Sequence, residues 1–267
     1  MLLKKLAKIR IIRSLILPIL RKFDFSIVIL HDLTKRIFFL KLWSHKGYWF
    51  YGSKRELVEI NNFKKLISNS YKVLEVGAHI GYLTQFFENL VSSDGEVLVI
   101  EPSPINRKFL QKNINKKTLI LPIALSDKSG YEKFYIDDYG GFTNSLKKDF
   151  TAGKNNELKE TQFTKNTKVK CIQVEVSTID EICHQHKFYP DFIKIDVEGA
   201  ELEVLKGSKN ILRSIRSIMI EISNNHEQIF DLLKIFDFVP LDDHGNILKW
   251  SIVNSYKLNK NFFFIKK

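Results

Sequence analysis

From Tyr71 onward the chain alternates short apolar runs, each closed by a turn, with stretches of helical period. Few folds accept that alternation. A parallel strand pair needs a long crossover between its members, and a helix of this length supplies one. The runs Lys72–Val76, Glu96–Ile100, Thr118–Ala124, Asp191–Ile195 and Ser217–Ile222 predict strands. Tyr82–Leu90, Pro104–Asn113, Ala200–Leu212 and His226–Phe236 predict the helices that follow them. Ser53–Ile67 reads as a helix ahead of the first strand, and Asn261–Ile265 as a closing strand. The pattern argues for an α/β fold of βαβ units around a parallel sheet. Phe86, Phe87, Phe230, Phe236 and Phe238 follow helix or strand faces and are expected in the core.

The rhythm breaks twice. Tyr131–Ile136 alternates like a strand, and the polar stretch Lys147–Lys170, rich in Lys, Asn and Thr, reads as a flexible insertion. The expected layout is a basic amino-terminal arm or helical region over 1–50, then one domain over 51–267 with a polar insertion around 137–170. Residues 1–36 hold nine Lys and Arg against Asp24 and Asp32, a net +7 of the whole chain's +12. The basicity therefore belongs to the arm. Basic residues interleaved with aromatics do not occur outside it, so nucleic acid is not an expected partner.

Leu2, Leu6, Ile9, Ile16 and Leu20 share a helical stripe that Arg13 interrupts. Two readings stand side by side: an interfacial anchor drawn to anionic lipid, and a helix packed on the main domain. Leu15–Leu20 is too short to span a membrane and contains Pro18, and Arg10 and Arg13 break the apolar run a secretory signal needs. Only Cys171 and Cys183 are present, which fits a reducing compartment. The expected location is the cytoplasm, with peripheral contact at the inner face of a membrane through residues 1–36. Cys171, Cys183, His184 and His186 match no standard zinc spacing, so no metal site is expected. The oligomeric state is not legible.

Three segments carry chemistry. In Val73–Thr84 (VLEVGAHIGYLT) a strand ends in Glu75, glycines follow at 77 and 81, and a helix begins. Gly77 permits a sharp turn and a close approach of backbone to ligand, and Gly81 lets the helix sit tightly on the sheet. The spacing is not the GxGxxG of dinucleotide pyrophosphate sites. Twenty residues past Gly81, the second strand ends in Glu101-Pro102-Ser103-Pro104, where an acid is placed to accept hydrogen bonds from ribose hydroxyls. A glycine turn plus a ribose acid indicates an adenosine-type ligand. Third, Asp191–Glu201 (DFIKIDVEGAE) delivers Asp196 and Glu198 to the same carboxyl edge. Spare carboxylates there can orient an acceptor hydroxyl or take its proton, although Asp196 could also serve only as a helix cap.

The runs VLEVGAHIGYLT, IEPSPINRKFL, PIALSDKSG, STIDEIC, DFIKIDVEGAELEVLKG and IMIEIS resemble the FkbM family of S-adenosylmethionine-dependent methyltransferases over roughly residues 55–240. The resemblance implies a Rossmann-like class I methyltransferase: seven strands, mostly parallel, one reversed near the end, with helices on both faces. It implies S-adenosyl-L-methionine as cofactor and O-methylation of a small-molecule or glycan acceptor. Glu75, Gly77, Ala78, His79, Gly81 and Thr84 would surround the methionine end. Glu101 and Pro102 would hold the ribose, Ala124 to Asp127 would flank the adenine, and Asp196 would sit near the transferable methyl. His79 departs from the family's more usual Asn. Asp196, Glu198 and Glu221 are the candidate catalytic residues, with packing or capping the other reading of Glu221. A nicotinamide-dependent sugar oxidoreductase and a non-catalytic membrane-associated binding module are the rival functions on such a sheet.

Overall fold

The computed structural model describes residues 22–138, 140–153, 168–255 and 260–267. The chain divides into two compact units, 1–57 and 58–267. The sequence stripe over residues 1–21 lies outside the described residues, as does most of the Lys147–Lys170 stretch.

The described part of the first unit is a hairpin, not the helix or arm expected over 1–50. β1 (Ser26–Leu30) pairs antiparallel with β2 (Ile37–Lys41), and a short helix α1 (Lys46–Tyr51) follows. Phe38 and Leu40 face inward with Trp43 and Tyr48. The connection folds around buried His31, whose Nδ1 accepts the amides of Leu33 and Thr34. The carboxylate of Asp24 accepts the amides of Trp43 and Ser44 at 2.8 and 3.2 Å. SIVIL and IFFLK are runs of β-branched and aromatic residues, but each is only five residues long and stands among cations that dominate the pattern.

The second unit opens with α2 (Leu57–Leu66), whose first residue belongs to the preceding unit, and continues with β3 (Lys72–Val76), α3 (Tyr82–Val91), β4 (Glu96–Ile100), α4 (Pro104–Asn113) and β5 (Leu119–Leu121). A second small sheet follows, made of β6 (Ala124–Leu125), β7 (Gly130–Asp137) and β8 (Val169–Ser177). The main sheet then resumes through α5 (Ile179–His186), β9 (Phe192–Ile195), α6 (Glu201–Lys206), β10 (Ser217–Ile222), α7 (His226–Ile235), β11 (Phe238–Leu241), α8 (Trp250–Val253) and β12 (Lys260–Lys266). Its order is β11-β12-β10-β9-β3-β4-β5, with β12 antiparallel to both neighbours and the pairs from β10 to β5 parallel. The seven-stranded, mostly parallel α/β sheet with one reversed strand is thus as expected.

Both faces of the sheet are covered. Phe63, Phe87, Phe192 and Phe263 pack in edge-to-face contacts on one, at centroid distances of 5.0–5.7 Å. Ile193, Ile195, Ile218, Ile220, Phe230 and Phe264 belong to the larger core cluster. β3 and β9 are neighbours from which the chain departs to opposite sides, so the crevice beyond their carboxyl ends is the topological switch point where such sheets bind ligands.

Three expectations need correction. Thr118–Ala124 is not one strand: Pro122, which cannot donate to a ladder, separates β5 from β6, and Ala124 pairs with Val176 in the second sheet. Ala200–Leu212 is not one helix. α6 ends before Gly207, where a Cβ would stand 2.3 Å from the Ser126 carbonyl oxygen, and a 3-10 turn follows at Ile211–Arg213. His184 and His186, which the sequence pattern puts past the end of a helix, lie instead in the last turn of α5. Near them, burial pushes the Cys183 thiol up to about 12. Among the described residues no group of three His, Cys, Asp or Glu side chains is arranged to hold a metal ion.

Candidate active site

The crevice is built where β3 and β9 end. Gly77 has φ +85°, and a Cβ there would lie 1.9 Å from the carbonyl oxygen of Asp196. Any side chain at 77 would wedge the two strand ends apart. The amides of Gly77 and Ala78 both donate to Ile100 O (3.0 and 3.2 Å), and Asp196 N donates to Val76 O (3.0 Å). The three strand tips are stitched together by backbone alone. Gly81, also left-handed at φ +87°, starts α3 against Leu110 and Ile114.

Glu101 stands at the tip of β4 with both carboxylate oxygens engaged by amides. His79 N donates to Oε2 at 2.7 Å, and Ser103 N donates to Oε1 at 2.8 Å with Asn106 Nδ2 at 3.4 Å. Burial raises its pKa to about 7, against the opposing pull of those donors and of Arg107. A carboxylate has lone pairs to spare after three such bonds, so it can still accept from a diol. Pro102 supplies backbone: Arg107 Nη1 donates to the carbonyls of Glu101 and Pro102 at 2.8 and 2.7 Å.

On the β9 side the central group is Lys194, which the sequence reading passed over. Its ammonium is buried, donates to Gly77 O at 3.0 Å and to Asp196 Oδ2 at 3.1 Å, and lies 3.8 Å from Glu75 Oε1. Glu75 itself is 1% exposed and accepts the Thr84 hydroxyl at 2.6 Å. Thr84 and Glu75 both lie inside the protein, and through Glu75 they face Lys194. The available signal was a lone lysine inside an apolar strand, but only the register, Glu75 opposite Lys194, shows what it meets.

Asp196 keeps a 30% exposed side chain and accepts from Lys194. Glu221, from the end of β10, holds its proton up to about 8, because the charge on Asp196 lies beside it and its site is buried; its carboxyl hydrogen-bonds Asp196. Glu198, at φ +53°, is likewise raised well above the usual carboxylate range by burial and by Glu221 and Asp196. Burial lifts Glu201 to about 7, partly offset by the amide of Gly199, which donates to its Oε1 at 2.7 Å. Burial and the charge on Asp196 thus disfavour charge on three carboxyl groups beside it.

A roof closes over this edge, and it comes from the segment expected to be a flexible insertion. Asp137 at the end of β7 gathers the amides of Gly141 and Thr143 and the Thr143 hydroxyl at 2.8–3.0 Å. The loop so formed places Gly140 O 2.7 Å from His79 Nε2 and Phe142 on the His79 ring at 4.4 Å. Ser145 Oγ donates to Glu198 O at 2.6 Å, Lys147 pairs with Glu203 at 2.8 Å, and Phe150 covers Gly199, where a Cβ would meet its ring at 2.6 Å. His79 is therefore a bridge between Glu101 and the roof. Ala124 is buried in the small core of the second sheet with Phe134 and Val176, which leaves only its backbone for an adenine edge. Asp127 is exposed, with its carboxylate near the Ser126 hydroxyl.

Residues 75–258 match the Methyltransferase FkbM domain, a stretch that starts at Glu75 and contains every strand tip just described. The chain belongs to the FkbM methyltransferase family. Two curated relatives are similar to it. One is the methyltransferase sdnD of Sordaria araneosa, 25% identical over 58% of this chain and 67% of that protein. The other is the 2-O-methyltransferase NoeI of Sinorhizobium fredii (strain NBRC 101917 / NGR234), 25% identical over 66% and 77%. Among solved structures it is similar to Aeropyrum pernix fibrillarin with natively bound S-adenosyl-L-methionine, with TM-score 0.43, 11% identity and 90% and 93% coverage. It is also similar to a Bacillus cereus O-methyltransferase in complex with SAH, with TM-score 0.40, 12% identity and 79% and 80% coverage.

The chemistry is methyl transfer, and the nicotinamide alternative is set aside. The methyl donor of this FkbM enzyme is S-adenosylmethionine. The residues fit it: Glu101 is a buried carboxylate beside the Gly77–Ala78 backbone, suited to a ribose diol, and Asp196 gives the crevice the negative charge a sulfonium requires.

Proposed function

We propose that this FkbM methyltransferase methylates a hydroxyl oxygen of a sugar, glycan or related hydroxyl-bearing natural product, with Asp196 as general base. The carrying observation is the setting of Asp196, held by Lys194 at 3.1 Å and by the Glu221 carboxyl while its side chain stays 30% exposed at the ligand edge. The similarity to NoeI, a 2-O-methyltransferase, supports the oxygen acceptor.

When bound, S-adenosylmethionine supplies an activated methyl on sulfur. The chain's own residues align and deprotonate. Glu101 accepts the ribose hydroxyls, and the Gly77 turn leaves room for the donor close to the backbone. A sugar hydroxyl is a weak nucleophile, so Asp196 takes its proton as the oxygen attacks. Glu221, already protonated, does not compete for that proton and steadies the carboxylate by hydrogen bond. The roof, through Phe142 and Phe150, excludes water from the crevice.

The test uses donor with an isotopically labelled methyl group and an acceptor panel of oligosaccharides, phenols, amines and thiols. Label recovered as a sugar methyl ether is the expected result. Label on nitrogen or sulfur alone would refute the oxygen assignment.

A further inference from the structure

The hairpin of the first unit presents an apolar face to solvent. Val28 and Leu30 on β1 stand opposite Phe39 and Ile37 on β2, so all four share one face. Val28, Leu30 and Ile37 are 56%, 66% and 57% exposed, and Phe23 and Phe25, just before β1, are 58% exposed each. The opposite face carries the buried pair Phe38 and Leu40. A two-stranded sheet needs only one apolar face for its core, so the second requires a partner.

The charges around that face indicate which partner. Lys22 precedes Phe23, and Lys35 and Arg36 occupy the turn beside Ile37. The two acids of this stretch are turned onto their own unit's backbone: Asp24 binds the amides of Trp43 and Ser44, and the carboxylate of Asp32 fills the space beside Gly52. An apolar face rimmed by cations suits neither nucleic acid, which offers charge without oil, nor a neutral protein surface. It matches the boundary between acyl chains and anionic headgroups.

We propose that the outer face of the β1–β2 hairpin docks the enzyme on an anionic lipid bilayer, with Phe23, Phe25, Val28, Leu30 and Ile37 in the interface and the cations at the headgroups. The assignment is independent of the acceptor proposed above.

The full-length chain is floated with vesicles of phosphatidylcholine alone and with added phosphatidylglycerol, at low and high salt. Binding to the anionic vesicles only, weakened by salt, is expected. Val28→Ser, Leu30→Ser and Ile37→Ser together should cut partitioning about tenfold or more. Binding of S-adenosylhomocysteine should be retained and serves as the fold control. Lys22→Glu with Lys35→Glu, a pair of surface changes, should weaken binding to anionic vesicles without touching the apolar face. Absence of vesicle binding by the wild-type chain would overturn the proposal. So would full binding by the triple serine variant, or self-association that the serines abolish in a chain that ignores lipid.

Discussion

The two halves of the crevice are held by different forces. On the β3–β4 side, Gly77, Ala78 and Glu101 are fixed by hydrogen bonds with backbone, the Glu101 carboxylate accepting the amides of His79 and Ser103. On the β9–β10 side, Lys194 holds Asp196, the Glu221 carboxyl hydrogen-bonds Asp196 and is raised by its charge and by burial, and burial raises Glu198 and Glu201. The first half resists new atoms, and burial raises Glu101 within it to about 7. The second half accommodates isosteres and responds to charge. That division suits a transferase: donor binding demands a shape, whereas acceptor activation demands one carboxylate free to take a proton.

The largest effect should come from adding one methyl group to the rigid half. Gly77→Ala places a Cβ against the Asp196 carbonyl at φ +85°. It should abolish S-adenosylhomocysteine binding in calorimetry and destabilise the second unit by roughly 3 kcal/mol or more. An alanine variant that binds normally would show that the strand ends are not so tightly joined.

Next in size is the lysine. Lys194→Met leaves Glu75 and Asp196 without their cation and should cost about 3–5 kcal/mol in denaturant unfolding. Glu75→Gln in the same chain should restore part of the loss, because the buried charge it strands is then gone. Strict additivity of the two substitutions would mean that Lys194 and Glu75 do not act on each other.

A smaller effect comes from the titration of Glu221 on the second half. Glu221 has a folded value of about 8 against an ordinary 4.5, so its contribution to stability is complete below about 4.5 and is lost as the pH rises through 8. Glu221→Gln keeps a donor toward Asp196 and cannot ionise. Thermal unfolding across that window should therefore fall less steeply with pH in the variant than in the wild-type chain. Parallel curves would remove Glu221 from the proton-sharing group.

The strand tips on both sides were legible from sequence, because VLEVG, IEPSP and IKIDVEG each join a strand to its tip within a few residues, and local pattern reaches that far. Lys194 was not. FIKI reads as an apolar strand with one stray cation, and its meaning lies in the register that sets it opposite Glu75. The roof was missed for a related reason. Asp137, Gly140 and Phe142 look like turn chemistry in a polar insertion until the fold returns them over His79. β8 was missed because it begins inside the polar stretch, at Val169 and Lys170, and its exposed face carries Cys171, Gln173 and Glu175. The first hairpin was hidden by charge counting, which weighed the cations and passed over five-residue runs between them.

The division of labour rests finally on Asp196. Calorimetry with S-adenosylhomocysteine and single-turnover methyl transfer, measured together on Asp196→Asn, separate donor binding from proton removal. Binding within about threefold of wild type and a transfer rate lower by about a hundredfold or more is the expected pair of results. An unchanged rate, or a binding loss as large as the loss of rate, would contradict it.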